Sequence, residues 1–320
     1  MTDGEGATPS APSAATEPSD RIPFGSVPRP ATGDAFVARI RDVLAEELPE
    51  GATFDADGRA ALDGPEGIDL ELGIRELRVP VDLGALLDEE PPAPAAPQER
   101  GDRHTEPHIV TRTPATLRHA RFDVPGAEIA GVPFDATLDV SLVEFEWSET
   151  ADGALVLDRI RPGADDRFEV RLRAGAPFAA LVELLREVAE LVCARMRLRL
   201  RAFDVDVTQT SPTRFDATVH ARVGRGPLSL GARVAVSARL EGPPYALHVD
   251  RLRITSANPV VAVPLLVLRS RIAQLAPRTI PLDAAATPEG HADPDVRFTE
   301  LDVRLGERIE VRAALRRAPR

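Results

Sequence analysis

Few residues in this chain combine in a way that could do chemistry. The stretch HTEPH, residues 104 to 108, places His104 and His108 four apart around Glu106. On a helix that spacing puts both imidazoles on one face, where they can grip zinc. Pro107 interrupts the pattern within a Pro/Ala-rich stretch, so the expectation is a solvated loop without metal. FDADG, residues 54 to 58, echoes the start of a calcium loop. It lacks the later ligands and the bidentate glutamate, and it reads as an Asp-Gly turn. Asp165 and Asp166 could serve as paired carboxylates, but Arg161 and Arg167 beside them favour a surface turn. His119, His220 and His248 fall in strand patterns, the last two on the polar register. No serine stands in a G-x-S-x-G context. All 39 basic residues are arginine, which removes a lysine Schiff base, a Walker-type phosphate loop and a Ser–Lys pair. The single cysteine, Cys193, permits no disulfide or thiolate cluster within the chain and reads as a small core hydrophobe. The sequence thus predicts no catalytic residue, no metal and no cofactor, and a non-enzymatic role.

Composition narrows the partners. The chain has 320 residues, 43% hydrophobic but only 4% aromatic, so a core must be built from Val, Leu, Ile and Ala. A net charge of −12 argues against nucleic acid, whose binding needs a basic surface to displace counterions. It also argues against simple electrostatic docking on anionic lipid. The N-terminal MTDGEGATPSAPSAATEPSD has neither the basic nor the apolar region of a secretory signal. No run reaches the roughly 20 apolar residues of a membrane span. The most hydrophobic stretch, NPVVAVPLLVLRSRIAQLAP (258–277), is broken by Arg269 and Arg271. The expected location is the cytoplasm.

Whatever function exists must therefore be positioned by the scaffold. Residues 1–31 are acidic and rich in Pro, Ser and Ala and are expected to be disordered. Residues 89–107 read as a Pro/Ala-rich linker. Three amphipathic helices are predicted. The first is DAFVARIRDVLAEEL, with Asp34 as N-cap and Phe36, Val37, Ile40, Val43, Leu44 and Leu48 on one face. The second is PFAALVELLREVAELVCARM, with Pro177 in the first turn and a stripe of Leu181, Leu184, Leu185, Val188, Leu191 and Val192. The third starts at Pro264 and aligns Leu265, Leu268, Ile272 and Leu275.

Nearly all the rest alternates as strands. The alternation slips by one residue after Leu142, at Ala202/Phe203, between Ile74 and Leu77, between Val249 and Leu252, and between Phe298 and Leu301. Such a slip is the sequence signature of a β-bulge, because the side-chain period is two. The predicted fold class is α+β: a long, strongly curved, bulged antiparallel sheet wrapped around two or three amphipathic helices. A similar helix precedes strands in each half, which suggests two related units, 32–175 and 176–320.

The helix before RLRLRAFDVDV, the hairpins TRFDATVHARVG and PLSLGARVAVSARL, the hydrophobic segment after Asn258, and the closing strands RTIPLDA and FTELDVRLGERIEVRAAL carry a resemblance. Together they resemble the tubular lipid-binding (TULIP) superfamily and, more narrowly, LmeA-type bacterial phospholipid-binding proteins. The resemblance covers mainly residues 176–320. It implies a non-enzymatic protein that holds a phospholipid or similar amphiphile, its acyl chains between helix and concave sheet. The walls of that site would be Leu181, Leu184, Leu185, Val188, Leu265, Leu268, Ile272 and Leu275. Proteins of the LmeA type are exported, whereas this N-terminus lacks an export pattern, so a cytoplasmic carrier is the expectation. A transient membrane contact is compatible with it. The alternative is a cytoplasmic interaction or scaffold protein whose core is fully packed and whose tail and linker reach a protein partner.

Overall fold

The computed structural model describes residues 21–63, 67–88, 108–162, 168–225, 228–256, 278–282 and 296–317. The first part contains β1 (Ile22–Ser26), α1 (Gly33–Glu47), β2 (Thr53–Asp63), β3 (Gly67–Val79), α2 (Leu83–Asp88), β4 (Ile109–Ile129), β5 (Val132–Thr150), β6 (Ala154–Pro162) and β7 (Glu169–Pro177). Then follow α3 (Phe178–Arg195), β8 (Arg199–Ser211), β9 (Arg214–Arg225), β10 (Leu228–Glu241), β11 (Ala246–Ser256), β12 (Arg278–Pro281), β13 (Val296–Leu305) and β14 (Arg308–Arg317).

The strands form two sheets. A nine-stranded sheet runs β13-β14-β7-β5-β4-β3-β2, with β6 also paired to β5 and β1 to β6; a five-stranded sheet runs β12-β11-β10-β9-β8. The α+β class is observed. The expectation of a wholly antiparallel sheet is corrected, because β3 and β4 pair in parallel. A parallel pair needs a long crossover, and the stretch from residue 80 to 108 supplies it. The large sheet also draws β13 and β14 from the C-terminal end, so sheet membership crosses the 175/176 boundary.

Each slip in the alternation coincides with a local irregularity. Pairing of β8 with β9 shifts between Leu200 and Ala202. Pairing of β10 with β11 shifts where Ala238 meets Val249 and Ser237 meets Arg251. Pairing of β13 with β14 shifts between Phe298 and Glu300. The extra residue in β3 lies between Arg75 and Arg78, where Glu76 adopts a φ of 51°. In β5 the slip marks a change of partner. Residues up to Ser141 pair with β7, those from Val143 onward pair with β6, and Leu142 between them has a φ of 55°. Bulges let β5, at 19 residues, far exceed the usual 5–6 while serving several neighbours.

Helix α1 begins two residues earlier than an N-cap at Asp34 implies. Its N-cap is Thr32, whose side chain accepts a hydrogen bond from the Ala35 amide, and Asp34 sits in the first turn beside the positive helix end. It stops at Leu48, which is extended at ψ 144°, because a residue before proline is driven out of the helical region and Pro49 follows. Phe36 and Val37 are buried in the main core with Phe24, Ile68, Leu70, Leu72, Phe145, Trp147 and Leu155. Phe24, Phe36 and Phe145 surround Trp147 at centroid distances of 5.2–6.3 Å, with steep interplanar angles. Edge contacts of this kind add about 0.5–1.5 kcal/mol per pair beyond burial. Few aromatics thus suffice because four converge at one point.

Pro177, expected in the first turn of helix α3, is instead its extended N-cap and the last residue of β7, and the first helical amide, Phe178 N, donates to Glu307 O of the β13–β14 turn at 2.9 Å. Helix α3 ends where Arg197 adopts a φ of 56°, and the Leu198 amide reaches back to Cys193 O at 2.8 Å, a left-handed helix stop. The helix touches β8, β5, β7 and β14. FDADG, expected as a turn, lies inside β2. Gly58 serves a close approach instead, since a Cβ there would collide with the Glu71 carbonyl oxygen of β3. The third predicted helix, with Leu265, Leu268, Ile272 and Leu275, and the residues His104 to Pro107, Asp165 and Asp166 lie outside the described residues.

Candidate functional site

Alternation in the five-stranded sheet generates an aliphatic face. Val207, Ala217, Val236 and Leu252 stand in one cross-strand row, and Val205, Val219, Val234 and Ile254 in the next. All eight are only half-buried. In a closed core such side chains would be almost fully covered, so this face is apolar yet incompletely packed.

At one end of the face the edge of the large sheet arrives. The bulge at Thr299 keeps Phe298 in phase with Leu301, Val303 and Leu305, so β13 presents one apolar side. Gln209 fixes the approach. Its Nε2 donates to Val303 O at 2.9 Å, and its Oε1 accepts from Leu305 N at 2.9 Å. A primary amide sets an N–H donor and an oxygen acceptor side by side in one plane, so Gln209 behaves like an added rung between β8 and β13. Tyr245 meets Phe298 edge-on at 6.3 Å, and Leu282 N donates to Tyr245 O at 2.9 Å.

Between these elements lies a cavity of about 430 Å³ lined by Phe215, Leu240, Leu247, Leu282, Phe298, Leu301, Val303 and Leu305. Every lining residue is a hydrocarbon side chain. The volume falls within the range of small-ligand sites, roughly 300–1,000 Å³. Among the described residues no nucleophile, acid or base lines it, so the chemistry of this lining is exclusion of water and dispersion contact. No protein-family model matches this chain, and no curated protein or solved structure matches it either.

Of the eight residues proposed from sequence as a wall, Leu265, Leu268, Ile272 and Leu275 lie outside the described residues, and only the four on α3 can be placed. Leu181, Leu184 and Val188 of α3 are half-buried, while Leu185 is 50% exposed. None of the four lines the cavity. The apolar stripe of α3 is wider than the surface it covers, so Leu191 and Val192 are also exposed. The lining residues come from five separate segments, and no local signal joins them.

The polar side chains cluster on the large sheet. His119, Arg121, Thr137, Asp139, Ser141, Glu169, Arg171 and Arg173 line a depression of about 370 Å³. Its charges are largely matched. Arg121 forms a forked pair with Asp123 at 2.8 and 3.0 Å, and Glu169 accepts from Arg316 at 2.7 Å. This pairing holds the Asp123 carboxyl below the usual carboxylate range, chiefly through the Arg121 hydrogen bond. His119 Nε2 stands 3.9 Å from Asp139 Oδ1, an ion-pair separation too long for the base–orienter hydrogen bond of a nucleophilic site. His220 is exposed as expected. His248, expected on the wet side, is instead half-buried, with Nδ1 3.0 Å from Thr279 Oγ1 and Nε2 3.2 Å from Glu241. Among the described residues no group of three or more His, Cys, Asp or Glu is placed to hold a metal, and no helix is long and apolar enough to cross a membrane.

A second polar cluster was not visible in the sequence. Asp158, only 4% exposed, sits 3.6 Å from Arg21, 3.7 Å from Arg112 and 3.4 Å from Ser148 Oγ. Its partners come from β4, β5 and the residue before β1. A buried carboxylate flanked by two guanidiniums is a structural fastener.

Proposed function

We propose that this protein binds a lipid or another elongated hydrophobic ligand without transforming it, with the ligand's apolar part in the seam between β13 and the five-stranded sheet. The single observation that carries this reading is the cavity of about 430 Å³ lined, among the described residues, only by hydrocarbon side chains. Three of its lining residues, Phe215, Leu240 and Leu247, stand on the same face of the five-stranded sheet as the half-buried aliphatic rows. Moving apolar surface out of water contributes about 25 cal/mol per Å², and the lining supplies no directional polar group. Selectivity therefore rests on shape, and an acyl chain fits better than a ligand dense in polar groups. The resemblance to tubular lipid-binding proteins points the same way, with the site displaced from α3 to the seam.

The test is binding of cis-parinaric acid, a fluorescent acyl probe. Saturable binding is expected, weakened at least about tenfold, or about 1.4 kcal/mol, by Val303→Phe, which fills the cavity. His119→Ala, on the polar sheet face, leaves it unchanged. Absence of saturable binding, or a Val303→Phe variant that binds as the wild type does, refutes the proposal.

A further inference from the structure

A second cavity, of about 320 Å³, borders the main core and is lined by Arg29, Pro30, Ala31, Phe36, Leu62, Ile68 and Trp147. It forms where the stretch between β1 and α1 crosses the β2–β3 hairpin. Phe36 and Trp147 meet edge-to-face at 6.3 Å and 88°, which makes a rigid aromatic corner. Leu62 and Ile68 are cross-strand partners and supply the aliphatic side.

Among the described residues, Arg29 is the one charged residue of this lining. Its Nη1 is shielded from solvent and has no hydrogen-bond partner, and Arg29 forms no ion pair among the described residues. A guanidinium that has lost part of its hydration and gained no counter-ion is electrostatically incomplete. Other arginines of the chain are matched, such as Arg118 between Asp63 and Asp69 and Arg39 on the carbonyls of Phe24 and Ser26. The lining mixes polar surface with the apolar side chains of Phe36, Leu62, Ile68 and Trp147, and a charged group set among apolar side chains is a usual form of a small-molecule site.

We infer that this cavity is a binding site for a compact monocarboxylate with an apolar, preferably aryl, body. The carboxylate takes the fork of Arg29 and the body packs on Phe36, Leu62, Ile68 and Trp147. One cation with no second basic residue in the lining matches a single negative charge, which disfavours a phosphate dianion. The site is independent of the seam: it shares no residue with it.

Trp147 is the only tryptophan in the chain, so its fluorescence reports on the core that borders this cavity and does not come from the seam. The experiment titrates 4-phenylbutyrate and its neutral amide into the full chain, exciting at the tryptophan edge. Saturable change in emission is expected for the acid, with the amide at least about tenfold weaker. Arg29→Gln removes that preference. Because Arg29 holds no side-chain partner, the variant folds as the wild type does, which far-UV circular dichroism verifies. Val303→Phe, in the seam, leaves the Trp147 response intact. Equal affinity for acid and amide, an unchanged response in Arg29→Gln, loss of the response in Val303→Phe, or no saturable signal at millimolar ligand overturns the inference.

Discussion

Replacing Gln209 with alanine tests how the two sheets are held in register. The Gln209 amide donates to Val303 O and accepts from Leu305 N, each at 2.9 Å, and also donates to Pro212 O at 3.2 Å. A typical net hydrogen bond contributes about 0.5–1.5 kcal/mol, and an orphaned buried group costs more. Gln209 is half-buried, so water replaces part of what is lost, and the expected destabilisation of the seam is about 1–2 kcal/mol. The loss is local, so the sharper assay is hydrogen exchange at the Leu305 amide. That amide should exchange about 5–30-fold faster in Gln209→Ala, the equivalent of this free energy, while amides of the β4–β5 pair stay protected. Gln209→Glu retains an acceptor for Leu305 but loses the donor to Val303, so it protects Leu305 better than alanine does. An unchanged Leu305 amide in Gln209→Ala would show that the two sheets are registered by packing and that the amide rung is incidental.

Two further outcomes follow from the titrating groups. The Asp123 carboxyl is held below its ordinary value of 3.8, first by Arg121 and then by Thr137. Its stabilising contribution is therefore present above that value and is lost as pH falls through the lower folded one. Asp123→Asn should be less stable than wild type at neutral pH, and the gap between them should close in acid unfolding below about pH 4; a gap independent of pH would contradict this. Cys193 is buried, and burial, followed by nearby Glu190, raises its thiol above the ordinary range. It should react with Ellman's reagent slowly in the native protein at pH 8 and fully in urea; rapid native labelling would show that the end of α3 opens readily.

The pattern of strands and bulges was legible because it is a local property: each slip at Leu142, Ala202, Ile74–Leu77, Val249–Leu252 and Phe298–Leu301 shows in the side-chain period before any partner is known. Helices α1 and α3 were legible for the same reason. The parallel pairing of β3 with β4 was not, since direction depends on the path of a long crossover and leaves no trace in either strand. FDADG misled because an Asp-Gly pair suits a turn, whereas Gly58 is needed for contact with the Glu71 carbonyl. The candidate sites were the least legible. Periodicity identified Leu181, Leu184, Leu185 and Val188 as apolar but could not say which of them a neighbour would cover. The seam joins Phe215, Leu240, Leu247, Phe298 and Val303 from distant strands, and the Arg29 cavity exists only once α1 has docked.

The most direct measurement is organic extraction and native mass spectrometry of the full chain purified without detergent. A bound amphiphile with an alkyl chain, stoichiometric with protein and depleted in Val303→Phe, is the predicted result. Repeatedly ligand-free protein that also fails to take up an added fatty acid would contradict the account.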